Sequence, residues 1–528
     1  MKKILYVVSI TAILLTSSGC KKWLDVNHNP NAPDKVDANS LLKPMLYAMM
    51  QGEQWDGRYV GKYVQFWAQN SANDVWDKMG YARPPSDAGG ETWKTTYNGL
   101  GANLLDYIKM CEEEQRWDAL GVGYILKAWG WQKATDLHGE LIITEAFQEG
   151  KTSFAYDKQE FAYQEVQRLL NLAIASLQRT DGAVNAVNLA KGDLIYKGAR
   201  EKWIKFAYGM LALNMNNLTN KTTLYDPNKV IEYVDKSFAN SADDALYGFA
   251  GEQSLLSNFL GQRRANVNNF RQTGFLVRTL DGSIFTGIVD PRLSRMLQPA
   301  PLDTVYRGIE PTIGFGDLPV VGERPPTFFG TTGAATLTSP GRYLFDDKSK
   351  VPFMTYAQLQ FVKAEAALRS NQFDVALAAY KNGIASHIDF VNATNANVSS
   401  NTATQILTAE KNAYLNSPLV TPAAASDLTL THIMIQKYIA QFAWAFTEQW
   451  NDIRRYHYID LDPKTNEQVF KTFTPPETAR LDVDNLGNLV YRLRPRYASE
   501  YVWNRDALEK IGGLNIDFQT VPVWFVNP

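Results

Sequence analysis

Cysteine is nearly absent from this chain: its 528 residues hold two, Cys20 and Cys111. With the first nineteen residues removed as a leader and Cys20 modified, Cys111 is the single thiol. That excludes an intramolecular disulfide and a cysteine-based zinc site. Histidine is scarce too, with five in all, and none forms a recognisable metal-ligand spacing. There is no G-x-S-x-G, no H-E-x-x-H, no P-loop and no G-x-G-x-x-G opening a helix, so none of the chemistries those motifs carry is indicated. An excess of positive charge is also missing. Residues 1–19 carry two lysines and no acid, so their removal takes the formal charge from −2 to −4. No basic block stands out, which argues against a nucleic-acid partner. The one apolar run, Ile4–Leu15, has twelve residues, fewer than the roughly 18 needed to span a bilayer.

That run follows Lys2 and Lys3 and precedes the small residues Thr16-Ser17-Ser18-Gly19. The order matches a secretory signal peptide, residues 1–19. Cys20 stands where a bacterial lipoprotein carries its acylated cysteine, although Ser17 occupies a position where Leu is usual. The expectation is a lipid-anchored N-terminus with residues 20–40 as a tether, since acyl chains contribute about 0.8 kcal/mol per buried CH₂. Lys21 and Lys22, rather than acids, follow the anchor.

Residues 41–528 read as one mainly α-helical domain. Apolar side chains recur at helical spacing in Tyr59, Tyr63 and Trp67, in Val166 to Leu177, in Trp203 to Leu211, and in Ile435, Ile439, Phe442, Phe446 and Trp450. A finer pattern lies within them. "WDALGVGY" sets Trp117, Leu120, Gly121 and Tyr124 in the W-x₂-L-G-x₂-Y spacing that opens a tetratricopeptide repeat. Trp203, Phe206, Ala207 and Met210 repeat it, and Ala364, Ala376, Tyr380 and Gly383 supply the small and aromatic positions of the second half. Small residues let paired helices approach, and each hairpin leaves a face that its neighbour buries. The units are unevenly spaced, so the expectation is a tetratricopeptide-like scaffold of helical hairpins with long inserted loops.

Three such loops, residues 68–93, 251–274 and 310–345, lack helical periodicity and are rich in Gly, Pro, Asn and aromatics. Long irregular segments in a compact domain are usually functional when they are not disordered, and the aromatics speak against disorder. Trp and Tyr can stack on the C–H face of a sugar ring while Asn, Asp and Arg bond its hydroxyls. Asn73, Asp74, Trp76 and Tyr81, and then Asn268, Phe270 and Arg271, are the candidate ligand contacts, with aromatics that pin the loops onto the scaffold as the competing reading. The overall aromatic content, 12% with 13 Trp and 26 Tyr, exceeds what a core tends to need. The one dense polar cluster, "TDLHGE" with Asp136, His138 and Glu140, reads as a turn in which Asp136 bonds backbone and Gly139 takes a positive φ. No catalytic residue, metal ligand or cofactor is nominated.

Several strings together resemble the SusD/RagB family of outer-membrane lipoproteins from Bacteroidetes. "WLDVNHNPNAP" (Trp23 to Pro33) is similar to the family's opening after the anchor, and "LKAWGWQKATDLHGELIITEAF" (Leu126 to Phe147) to its Ala-rich helix and turn. "DPRLSRML", "VPFMTYAQLQFVKAEAALRSNQF" and "AWAFTEQWNDIRRYHY" follow in family order, the last with Trp450, Asp452, Arg454 and Arg455. "RPRYASEYVWN" (Arg494 to Asn504) closes the series. Ser370 and Ala498 depart from the family's Gly and Pro. The resemblance implies a tetratricopeptide-like α scaffold on a lipoprotein at the cell surface, anchored in the outer membrane. It also implies a binding protein, not an enzyme, that captures a glycan and delivers it to a SusC-like TonB-dependent transporter. A RagB-like peptide-capturing lipoprotein and an envelope glycosidase are the alternative readings.

Overall fold

The computed structural model of the chain describes residues 37–396 and 405–528. The signal peptide, Cys20 and the first part of the tether lie outside these residues. The scaffold starts slightly earlier than expected: the side chain of Asp37 caps the first helix by accepting from the backbone N–H of Asn39 at 3.0 Å, and an Asp at this position satisfies a helix-end donor. Ten helices of ten or more residues occur among the described residues. They are α1 Ala38–Tyr63, α2 Asn103–Glu113, α3 Trp117–His138, α4 Gln159–Gln178, α5 Arg200–Asn216, α6 Pro227–Lys236, α7 Tyr356–Arg369, α8 Phe373–Ala396, α9 Leu430–Gln441 and α10 Phe446–Arg455.

Consecutive helices pack on one another from α2 to α8, α9 lies against α7 and α8, and α10 returns to pack on α1. This is the expected stack of hairpins, and the repeat residues sit where their sizes matter. A Cβ on Gly121 would lie 2.5 Å from the Leu177 side chain and 2.9 Å from the Ala173 carbonyl oxygen. Glycine is what lets α3 meet α4 this closely. Trp203, Phe206, Ala207 and Met210 are buried in α5, as are Ala364, Ala376 and Tyr380 in α7 and α8.

Two apolar stripes do not form single helices. α1 stops at Tyr63 because Gln65 enters the left-handed region at φ 57°. Trp67 therefore belongs to a strand. Likewise Ala443, at φ 67°, breaks the stripe from Ile435 to Trp450 into α9 and α10. Helical spacing continued across both breaks, since the residues on either side bury against the same core.

Four short strands form two antiparallel ladders: β1 Trp67–Gln69 with β3 Phe270–Gln272, and β2 Ala245–Tyr247 with β4 Val351–Met354. The first ladder clips loop 68–93 to loop 251–274, with Ala68 opposite Arg271. Loop 310–345 joins them: Phe315 N–H donates to the Asn70 carbonyl at 3.2 Å and Ala335 N–H to the Asn268 side chain at 3.1 Å. Trp67 is buried where they meet, with the rings of Phe270, Phe328 and Phe345 around it.

Where α7, α9 and α10 meet, charge is buried. Arg455 donates to both oxygens of Glu365 at 2.9 and 3.0 Å and to Asp452 at 2.6 Å, and Lys437 reaches Asp452 at 2.9 Å. All four side chains are at most 2% exposed. Although burial opposes charging, the Arg455 and Arg369 guanidinium groups hold the Glu365 carboxyl well below its ordinary range. Removing one member strands its partner's charge, so Glu365→Ala is expected to cost about 3–5 kcal/mol, read as a lowered guanidinium midpoint. A carboxyl held low stabilises the fold above its unfolded value, and that contribution is lost as pH falls through the folded one.

Asp77 in loop 68–93 has the opposite sign. Burial raises it from 3.8 to about 7, with Asp74 adding to the rise and Lys62 opposing it. Its contribution is full below pH 3.8 and lost as pH rises through 7. The melting temperature of the wild type is expected to fall between pH 5 and pH 8, and Asp77→Asn to make that fall shallower in a thermal scan.

Candidate functional site

The loop residues divide into those that build the site and those that face it. Phe270 is 8% exposed and Arg271 4%. The Phe270 ring packs on Trp67 and lies under the Lys62 ammonium at 4.4 Å. Arg271 donates to the carbonyls of Asn268 and Phe270, and burial lowers its guanidinium to about 10. The Asn268 side chain is taken by Ala335. These three hold the loops together: the Phe270 ring, the Arg271 Nη1 and the Asn268 side-chain oxygen are engaged by the protein itself.

Asp74 is also structural in part, accepting from the N–H groups of Trp76 and Asp77 at 3.0 Å and pairing with Lys62 at 2.7 Å. Trp76 is 6% exposed and stacks on Tyr59, with centroids 4.3 Å apart and planes at 20°. Its remaining edge, with Tyr81, lines a hollow. The Tyr81 hydroxyl donates to Asp484 at 3.2 Å, and the Arg494 guanidinium covers its ring at 4.2 Å. Burial raises its phenol above the ordinary value. Asn73 is exposed on the same loop.

The opposite wall comes from the C-terminal segment. Arg494, Arg496, Tyr497 and Tyr501 line the hollow facing Trp76 and Tyr81. A second hollow adjoins it across Arg496, walled by Trp93, Tyr97, Phe147, Phe154 and Glu500. Arg496 pairs with Asp87 at 2.5 Å, and Asp87 also accepts from the Ala498 N–H at 2.8 Å. The tip of loop 68–93 and the C-terminal segment are thus locked together. Glu500 accepts from Tyr156 at 2.5 Å and Asn504 at 3.0 Å, and Asn504 bonds the backbone of Phe154 on both sides. Burial, and then the charge of Glu500, raise the Tyr156 phenol well above its ordinary value, so it remains a donor. Between Glu500 and Asn504 stands Trp503, 77% exposed. Phe147 sits at φ 64°, a conformation that costs a bulky residue of order 1–3 kcal/mol and that clusters at functional sites.

The "TDLHGE" cluster positions this wall. Gly139 takes φ 87°, as expected. Asp136 differs from expectation: its carboxylate accepts from the side chains of Tyr163, Gln132 and Asn451 rather than from backbone. Burial raises it to about 6. His138 is 1% exposed and burial lowers it to about 4, so it is neutral and its Nδ1–H donates to the Leu493 carbonyl at 3.2 Å. Glu140 pairs with Arg492 at 2.6 Å. The three side chains diverge to different partners, and two of them clasp the chain just before Arg494.

The cleft that results offers aromatic rings and fixed polar groups in alternation. That suits a flat, partly apolar ligand with hydroxyls, in which each C–H face meets a ring and each hydroxyl a pre-oriented partner. Sequence reading missed Tyr97, Phe147, Phe154 and the C-terminal wall as site residues. The available signal was the density of Arg, Tyr and Trp in "RPRYASEYVWN".

Residues 30–476 match the model of the SusD-like family described as starch-binding, associating with the outer membrane. Among solved structures, a SusD/RagB family protein from Bacteroides thetaiotaomicron is similar at TM-score 0.68 and 21% identity, covering 93% of this chain and 99% of that one. A SusD homolog from Bacteroides fragilis is similar at TM-score 0.72 and 17% identity, over 93% and 100%. A chitin-binding SusD homolog from Flavobacterium johnsoniae is similar at TM-score 0.64 and 19% identity, over 93% and 98%. No curated protein matches the chain. With its stack of helical hairpins and with most of its length matched, the chain belongs to the SusD-like family.

Proposed function

We propose that this protein is a cell-surface lipoprotein that binds a glycan in the aromatic cleft and passes it, uncleaved, to a SusC-like TonB-dependent transporter. Acylation of Cys20 is the anchor in this reading. No helix among the described residues is long and apolar enough to cross a membrane. The family's description and the chitin-binding relative support a glycan as cargo.

The observation that carries the reading is Trp503. Its indole is 77% exposed on a segment that Glu500 and Asn504 fasten to residues 153–156 from below. A large exposed ring on a fastened segment, close in the chain to the Glu500 and Tyr501 that line the two hollows, fits a stacking platform for sugar. Tyr81 lines the first hollow on the facing loop, and Asn73 is exposed on that loop. Binding here concentrates cargo at the membrane and contributes no bond-breaking.

In affinity electrophoresis against a panel of polysaccharides, the mature protein is expected to be retarded with no new reducing ends. Trp503→Ala and Tyr81→Ala are each expected to weaken retention about tenfold, roughly 1.4 kcal/mol. Released sugars would support hydrolysis instead, and retention of oligopeptides alone would support peptide capture. Cys20→Ala is expected to shift the protein from the membrane to the soluble fraction of expressing cells and to abolish incorporation of labelled palmitate.

A further inference from the structure

The line of rings does not end at the first hollow. Behind Trp76, the stacked Tyr59 leads onto the outer turn of α1, where Trp55 and Arg58 meet Phe259 and Arg264 of loop 251–274. The Trp55 and Phe259 rings lie 5.2 Å apart. The Arg58 guanidinium carbon is 4.5 Å from the Trp55 centroid, 5.0 Å from that of Phe259 and 5.1 Å from that of Tyr59. The Arg264 guanidinium carbon is 4.7 Å from the same Phe259 centroid. Two cations therefore share one ring.

Stacking orients a guanidinium but does not neutralise it. Among the described residues neither arginine forms an ion pair, and Arg264 donates no hydrogen bond. Arg58 spends its Nε on the Trp55 carbonyl at 3.3 Å and one Nη on the Tyr59 hydroxyl at 3.2 Å, both neutral acceptors. The neighbouring carboxylates are committed elsewhere. Asp56 accepts from the N–H groups of Glu91 and Thr92 at 3.2 and 2.7 Å, and Asp74 is paired with Lys62. Asp347 accepts from the Arg263 N–H at 2.9 Å and faces the Arg263 side chain at 3.7 Å. Burial lowers the Arg58 guanidinium, Tyr59 and the charge of Asp56 oppose that, and the nearby charge of Arg264 adds to it. Two half-buried like charges, neither in a direct ion pair, are an arrangement that favours a bound anion.

We infer that Arg58 and Arg264, framed by Trp55 and Phe259, form an anion-recognising subsite, and that the glycan taken by this protein bears carboxylate or sulfate groups. The guanidinium fork matches the paired oxygens of either group. A sugar ring against Trp55 would place its acidic substituent at the arginines. The inference rests on the glycan-capture reading and adds the charge class of the cargo.

The test is affinity electrophoresis of the mature protein on polygalacturonate, on a sulfated galactan and on their neutral counterparts. At least one acidic polymer is expected to bind better than its neutral counterpart, and to lose that advantage as NaCl rises from about 50 to 500 mM. The two acidic gels separate carboxylate from sulfate. Arg264→Gln and Arg58→Gln are each expected to reduce the acidic-to-neutral affinity ratio about tenfold. Arg264 makes no hydrogen bond to lose, and a melting curve checks that each variant keeps the fold. Retention of neutral polymers only, or an unchanged ratio in both variants, would overturn the charge assignment and leave glycan capture standing. Retention of no glycan at all would sink both.

Discussion

Everything else in this molecule leans on a buried exchange of charge at Arg454 and Arg455. Arg455 points inward to Glu365 and Asp452 and so ties α7 to α10, while Lys437 brings in α9. Arg454 points the other way, donating to the Asp136 carbonyl at 2.7 Å and to the Tyr491 carbonyl at 2.6 Å. One pair of adjacent residues therefore closes the helical stack and holds the start of the C-terminal segment. Buried charges are costly unless they are paired or hydrogen-bonded. The network thus gives the scaffold one packing arrangement and carries that arrangement outward to the ligand face.

The cleft inherits its geometry from this anchoring. The clasp of His138 and Glu140 on residues 492–493 and the pairing of Asp87 with Arg496 bring two chain segments some 400 residues apart into one wall. On the other side, the β1–β3 ladder and the Trp67 cluster fix the loops. The aromatic groups consequently fall into two kinds. Trp67, Phe270 and Trp76 are buried and build the platform, while Tyr81 is half-buried and Trp503 exposed. The arginines divide in the same way: Arg271 and Arg454 bond carbonyls inside the protein, whereas Arg58 and Arg264 face each other across aromatic rings, neither in a direct ion pair.

Much of the scaffold was legible from periodicity and residue size. Gly121 opposite Leu177, and Trp203 with Ala207 in α5, sit where the repeat spacing put them, because close helix packing depends on local side-chain volume. The extent of individual helices was less legible. Gln65 and Ala443 adopt left-handed backbone with no glycine to announce it, so stripes of apolar residues ran on through two helix ends. The candidate site was partly legible: composition pointed to loop 68–93, whose Trp76 and Tyr81 line a hollow, while Phe270 and Arg271 fasten the loops, because composition does not say which face of a loop is buried.

The sequence by itself determined the cysteine-poor character of the chain, its helical-hairpin architecture and the Trp, Asp and Arg residues of α10 that resemble its family. These follow from patterns within one turn or one hairpin. Only the tertiary structure decided that the C-terminal segment faces Trp76, that the Asp136–Glu140 cluster is a clasp and that Arg58 meets Arg264. Each of these is a contact between distant segments. Such contacts are set by how the helices stack, since burial of the whole core outweighs the preference of any one segment.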